Sequence, residues 1–467
     1  MGGNYVEGLF EQLQDTMLKV DKLVIDISDL KKENTELKDN IEVLGKENIA
    51  LKSENKKLKD IINKNSGNSS KPPSSDGFVK IENSREKTGR KPGGQQGHKG
   101  HKPKLYENPT EIIELKQKKC KCGGFVKYTD KYIAKQLVDV EIQAAIREYR
   151  GHIGVCECCK AKIENALPVS DIITYGNNVK ALCSMLTVEG CVSINRTRQM
   201  LTEITNGLIN LSEGTIAKWS CDLSERVAPV LDNIRDKLLV SPVLNKDETG
   251  IRIGKTIHWL HVLGNKTHTL YSSHKKRGNA ADKDMGVLPS YGGVLVHDHL
   301  KGLYDFTCEH AECNAHILRY LKAATETKKR KWTSDMIKLL IFAKSGGKKD
   351  EIWEMYDEIL ESGQREFLKD ELPDYNGEDM KLLRRMRKYK AEHLRFVTDK
   401  NVPFDNNQAE RDLRMIKAKT KISGCFRADD GGEVFANIKS YTSTLRKNGF
   451  NIYDGIRDAF RFYPVFC

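Results

Sequence analysis

Across 467 residues the sequence has no apolar run as long as a membrane-spanning helix, which needs about 18 residues or more. Its N-terminus also lacks the charged-then-apolar layout of a secretory signal. The expectation is a cytoplasmic, nucleoid-associated protein with no membrane partner. Acidic residues are in deficit: 65 Asp and Glu face 78 Lys and Arg, leaving a net charge of +13. That imbalance points to an anionic partner, with DNA first among the candidates. Hydrophobic residues make up only 38% of the chain and charged ones 31%, polar for a globular protein but short of a wholly disordered composition. Part of the length is therefore non-globular, and a single small domain is excluded. In a reducing compartment the 12 cysteines are expected as thiols or metal ligands, and five of them lie between positions 120 and 159, which argues for a metal.

What is present begins with a heptad. Leu23, Leu30, Leu37, Leu44, Leu51 and Leu58 recur every seventh residue as a d row, and Val20, Ile27, Asn34, Ile41, Asn48, Asn55 and Ile62 fill the a row. β-Branched a residues beside leucine at d favour two parallel strands, and buried asparagines fix the register. Residues 1–63 are thus expected to form a homodimeric or higher-order coiled coil. Residues 64–118 follow as a flexible basic arm, rich in Ser, Asn, Pro and Gly up to about 104, where no core can form. Between positions 80 and 104 the arm carries eight Lys and Arg against Glu82 and Glu86. Phosphate binding and mere solubility explain this composition equally well.

A small zinc-binding module is expected over 119–170, with Cys120, Cys122, Cys156 and Cys159 as ligands of a structural Zn²⁺ and Cys158 as a competing fourth. Glycines after Cys122 let backbone amides turn toward the sulfurs, and stretches such as 131–142 read as strand. Residues 171–237 read as helices, with Ser212 an N-cap. A short turn between two of them fits a helix-turn-helix DNA-binding region, and also ordinary helical packing.

From position 238 the period changes. Runs at 238–247, 257–263, 267–272 and 293–298 are β-rich and bounded by turn residues, which predicts three antiparallel strands and a fourth. A helical block follows to about 400 and reads as an insertion at 308–400 within a domain spanning 238–450, with a C-terminal segment at 451–467. Asp247 and Asp298 each end a predicted strand, an expensive place for a carboxylate unless a cation is near. If the strands are neighbours, these acids converge with a helix carrying Glu410 and supply oxygen ligands for two Mg²⁺, or Mn²⁺, in a two-metal scheme. Competing readings exist for each. Glu248 is an alternative to Asp247, with the other a surface charge. His297 or His299 fits a mixed metal site with Asp298. Glu410 has capping-box spacing from Asn407 and ion-pair spacing to Arg414, and by spacing alone a structural role is favoured.

NSSKPPSSDG with its Asn65-Ser66-Gly67 lead-in, RKPGGQQGHKGH from Arg90, the cysteine knuckles, SEGTIAKW from Ser212, DETGIRI from Asp247, HWLHVLG from His258, CNAHILR from Cys313 and NNQAERDLRMIKAKTKISGCFR from Asn406 jointly resemble the large transposase of the IS66 family of bacterial insertion sequences. The resemblance implies a multidomain α/β protein whose RNase H-like catalytic domain carries a DDE triad at Asp247, Asp298 and Glu410, overriding the structural preference for Glu410. It implies metal-dependent DNA cleavage and strand transfer at terminal inverted repeats, with two short accessory proteins as possible partners. The family commonly shows Asp-Gly-Tyr at the second acid, where this chain has His297-Asp298-His299-Leu300. Cys313 and His316 resemble a motif that follows the second acid in several insertion-bearing DDE transposases, and equally fit a plain helical turn. Arg90, Lys91, Lys99, Lys102, Lys417, Lys419, Lys421 and Arg427 are the expected phosphate contacts. A catalytically inactive DNA-binding regulator and a nuclease without strand transfer are the rival functions.

Overall fold

The computed structural model describes residues 3–62, 104–369, 375 and 377–466. The basic arm up to 103, with Arg90, Lys91, Lys99 and Lys102, lies outside these described residues. Contacts divide the chain into two units: Met1–Asn83 with His316–Leu339 and Tyr356–Arg384, and Ser84–Ala315 with Leu340–Met355 and Arg385–Cys467.

The first unit contains α1 (Gly3–Ile62), a single helix of 60 residues. Its d-row leucines are bare, from 50% exposed at Leu58 to 62% at Leu44. Each one buried against a partner would contribute about 1.5–3 kcal/mol. Four later helices lie wholly or partly in this unit: α7 (Asn314–Lys328), α8 (Lys331–Ser345), α9 (Lys349–Leu368) and α10 (Glu378–Lys388). The Glu366 carboxylate accepts from the amides of Lys331 and Trp332 at 3.0 and 2.9 Å, placing a negative charge on the positive end of α8. Arg330 pairs with Asp379 at 2.9 Å. A Cβ on Gly363 would stand 2.7 Å from Leu383 and 2.8 Å from Trp332, so a side chain there would push these helices apart.

The second unit starts as irregular chain. The stretch 131–142, expected as strand, carries no strand pairing. β1 (Ile153–Val155) and β2 (Lys162–Glu164) form a short antiparallel hairpin. Four helices follow: α2 (Asn177–Ser184), continued by a π-helical turn at Met185–Glu189, then α3 (Ile194–Ile204), α4 (Glu213–Arg226) and α5 (Ala228–Leu239). Ser212 caps α4 by accepting from the Thr215 amide at 3.0 Å. The α3–α4 connection is not the short turn expected. It runs over 205–212, because Asn206 and Gly207 take positive φ to stop α3 and the chain then continues to bury Leu211.

β3 (Val243–Ile253), β4 (Thr256–Gly264) and β5 (Thr269–His274) make an antiparallel meander. α6 (Asn279–Asp284) leads to β6 (Val294–His297), parallel to β3, and β7 (Glu309–Glu312) adds parallel to β6. The order is β5-β4-β3-β6-β7. Two expectations are corrected here. Residues 238–239 finish α5, and β3 runs on to Ile253, so Asp247 lies within its strand rather than at its end. A fifth strand occupies 309–312, where helix was expected, because edge pairing on β6 outweighs the weak local preference of Glu-His-Ala-Glu. The helical block therefore starts at α7, and after α10 it ends with α11 (Lys390–His393) and α12 (Arg395–Thr398).

α13 (Asn407–Ser423), α14 (Gly431–Lys447) and α15 (Ile452–Arg461) complete the chain. One hydrophobic cluster joins Ile216 and Leu223 of α4, Leu244, Leu260 and Val262 of the sheet, Leu413 of α13, Tyr441 of α14 and Ile456 of α15. The helices of 177–239 and the C-terminal segment thus share a core with the sheet and are not separate from it. Each presents one apolar face, and α14 lies between α4 and β5 as their common support. Among the described residues no helix is long and apolar enough to cross a membrane.

Candidate active site

β3 and β6 are parallel neighbours in which Lys246 pairs with His297. The next residue on each is therefore an acid, Asp247 and Asp298, side by side. Asp298 directly follows the end of β6, as its sequence position suggests. The amide of Glu248 donates to Asp247 Oδ1 at 2.8 Å. Burial first, and then the negative charges of Asp298 and Glu248, push the Asp247 carboxyl up to about 7. A half-buried acid raised by burial and by a neighbouring carboxylate is the arrangement a cation relieves.

Side chains alternate along β3, which separates the acids by face. Lys246 and Glu248 point away from the Asp247 side into a buried charge cluster. Lys246 Nζ lies 3.3 Å from Glu248, 3.1 Å from Asp282 of α6 and 3.1 Å from His261 of β4. Arg277 pairs with Glu248 at 2.8 Å and stacks over Trp259. Glu248 is consequently neither a free surface charge nor a member of the Asp247 face.

Glu410 sits one turn into α13, which packs on β3 and β4. The helix is capped by Asn406, not Asn407, and the Asn406 side chain bonds none of its amides, while Asp405 Oδ1 accepts from the Asn407 amide at 3.2 Å. Capping-box geometry, which needs the acid three residues after the cap, is therefore absent: Glu410 is the fourth residue after Asn406. Asn406 is fully buried and ties this end of the helix to β3. Its Nδ2 donates to the Lys246 carbonyl at 2.7 Å, its Oδ1 accepts from Asn245 at 2.9 Å, and its amide reaches Cys313 Sγ at 3.2 Å.

Asp298 and Cys313 offer ligand atoms within 4.8 Å of one another. Cys313 immediately precedes α7 and His316 stands in its first turn. Asp247 and Glu410 do not join this group at that distance. The two histidines flanking Asp298 are committed elsewhere. His297 is fully buried, bonded to His310 at 3.2 Å and lowered to about 4 chiefly by burial. His299 donates to Glu312, a buried carboxylate of β7 that also accepts from Tyr304 at 2.7 Å, His393 at 3.1 Å and Arg385. These donors hold Glu312 well below the usual carboxylate range although burial opposes them. Glu312, Asn245 and Asn406 are structural supports that the sequence reading missed. The motifs CNAHILR and NNQAERD border or contain two of them, which was the available signal.

The basic row on and after α13 is uneven. Lys417, Lys421 and Arg427 are exposed. Lys419 turns inward, donating to the Thr187 carbonyl at 2.9 Å over Phe426 and Phe435, and burial lowers its pKa. It is withdrawn from the exposed row.

Among the cysteines, the Cys122 thiol is lowered by the Gly124 amide and by Cys120, and the Cys156 thiol by the amide and then the thiol of Cys159, with the Cys158 amide third. Backbone amides thus turn toward a sulfur in each knuckle. The four sulfurs do not fall within one 4.8 Å group.

A model of the Transposase IS66 family matches residues 174–434. A family of unknown function matches residues 20–104, across the heptads and the basic arm. No curated protein matches the chain. The first match covers more than half of the sequence and contains both paired aspartates and Glu410, and on that basis the chain belongs to the IS66 family of transposases.

Proposed function

We propose that this transposase is a DDE enzyme that cuts DNA at the ends of its element and joins them to target DNA, using Asp247, Asp298 and Glu410. The observation that carries this is the side-by-side emergence of Asp247 and Asp298 from parallel neighbouring strands, with the α13 head bonded to the same β3. The strand order, an antiparallel meander extended by two parallel strands, supports an RNase H-like fold. The donor set suits Mg²⁺ or Mn²⁺: carboxylate oxygens, two of them close enough to disfavour double ionisation without a cation. When bound, two such ions would lower the charge at the phosphodiester and activate the attacking oxygen.

The chain's own part is to hold these oxygens on and after the adjacent inner strands β3 and β6 and bring the phosphate to them. Water attacks the phosphodiester at the element end, and the freed 3′-hydroxyl then attacks target DNA. Exposed Lys417, Lys421 and Arg427 hold phosphates. Cys313, beside Asp298, and His316 are auxiliary residues. The arm with Arg90, Lys91, Lys99 and Lys102, the cysteine knuckles and the helices of 177–239 engage the terminal inverted repeats. A structural Zn²⁺ held by Cys120, Cys122, Cys156 and Cys159 would draw the two knuckles together. The bare leucine row of α1 pairs two protomers in parallel, so that two element ends are handled in one complex. Two short accessory proteins of the same element are further partners, and the cytoplasm and its nucleoid are the setting.

The test is a strand-transfer assay with labelled element ends in Mg²⁺. Cleaved and joined products from the wild type, absent with Asp247→Ala, support the proposal. Nicking without joining would leave a nuclease, and DNA binding without either would leave a regulator.

A further inference from the structure

We propose that Asn406 is the positioning residue of the metal centre, setting Glu410 against the two aspartates through its bonds to β3. This rests on the reading of Asp247, Asp298 and Glu410 as metal ligands.

Asparagine is among the best helix N-caps because its side-chain oxygen accepts from the first free amides of its own helix. Asn406 occupies the N-cap of α13, yet its side chain makes no such bond. Both ends of the amide are used on β3 instead: Nδ2 on the Lys246 carbonyl and Oδ1 on the Asn245 side chain, at 2.7 and 2.9 Å. Asn245 and Asp247 share one face of the strand. The staple is therefore made two residues from the first acid, on the acid's own side.

The backbone of Asn406 extends the connection. Its carbonyl accepts from the Glu410 amide at 3.2 Å, the first helical bond to the third acid. Its amide reaches the sulfur of Cys313, a residue whose sulfur lies within 4.8 Å of an Asp298 oxygen. One fully buried side chain and its peptide groups thus touch the strand of the first acid, the neighbour of the second and the helix turn of the third. A cap spent on its own helix would stabilise α13 equally well but would leave the helix free to slide along β3.

Farther along, Asp412 is held by Lys447 at 2.9 Å, while its carbonyl accepts from Tyr271 at 2.9 Å. α13 is thereby fixed on both sides of Glu410. Metal sites depend on such outer contacts, and losing one typically lowers metal affinity about 10- to 100-fold.

The experiment titrates full-length protein with Mn²⁺, following the free-ion signal by electron paramagnetic resonance, and records thermal melting in parallel. Asn406→Ser keeps a good cap residue but is too short to reach β3. Its Mn²⁺ affinity should fall by about 10-fold or more, with little change in melting. Asn245→Ala removes one of the two bonds, leaves the cap residue in place and should show a smaller loss, so it decides the matter if Asn406→Ser fails to fold. In a Glu410→Gln background the Asn406→Ser loss should largely vanish, because the two act as a unit; a residue that only supports the fold would keep its full effect. Unchanged Mn²⁺ affinity in both single variants, or a fully additive loss with Glu410→Gln, would overturn the inference. Failure of the underlying reading looks different: the wild type itself would then show no Mn²⁺ binding that Asp247→Ala removes.

Discussion

The α1 helix and the five-stranded sheet present opposite problems. Along α1 six leucines from Leu23 to Leu58 keep unbroken seven-residue spacing, yet they stand half or more exposed. In the sheet, buried polar residues such as Lys246, Asn245 and Glu312 follow no period, yet each meets a partner of complementary chemistry. Regular pattern without burial is the surface that the proposed pairing of two protomers would cover. Irregular polar burial describes a site in which the tertiary fold repays desolvation residue by residue. The difference separates a surface left to the proposed assembly from one the chain completes alone.

The strongest way to break that contrast is at the sheet. Replacing Asp298 by Ala should lower element-end cleavage by about 10³-fold or more, since several kcal/mol of transition-state stabilisation at about 1.4 kcal/mol per tenfold are lost. DNA binding by gel shift should stay nearly intact, and a modest loss of cleavage would remove Asp298 from the centre. On α1, Leu30→Lys with Leu37→Lys places charges on the leucine row and should convert a sedimenting dimer into monomer. A dimer that persists would mean that the row is not the interface. Between these extremes lie the cysteine knuckles. Cys159→Ser should abolish bound zinc by elemental analysis while Cys158→Ser retains it, and equal loss in both would disprove the ligand choice. The smallest effects concern phosphate contacts. Lys421→Ala should reduce the slope of log affinity against log salt by about 0.9, whereas Lys419→Ala should leave the slope unchanged and lower the melting temperature, because that ammonium is buried against Thr187.

Much of this was legible beforehand. The strands β3 to β6 and the capped start of α4 follow from apolar runs and turn residues, and the neighbouring of Asp247 and Asp298 follows once their strands are adjacent. The extent of β3 was misread because Leu238 and Leu239 suit a helix end as well as a strand start, and packing of α5 decides between them. β7 was missed since its four residues are polar and its strand state comes from β6 alone. Glu410 looked like a capping residue because two asparagines precede it, and sequence spacing does not reveal which one heads the helix. The commitments of Asn406 and Glu312 are longer-range still: their partners lie up to 161 positions away for Asn406 and 81 for Glu312. No local pattern encodes contacts of that range, although both residues stand in or beside recognisable motifs.

The central claim, that the paired aspartates and the α13 acid form one catalytic centre, is tested most directly by Glu410→Gln. Glutamine preserves size and helix preference but is a poor ligand for a hard cation. The measurement is strand transfer of labelled element ends in Mg²⁺ by full-length protein, with melting and end-binding recorded on the same preparations. Loss of cleavage and joining at unchanged melting and binding is the predicted result. Wild-type turnover in the Gln variant would contradict the account and leave Asp247 and Asp298 without their third partner.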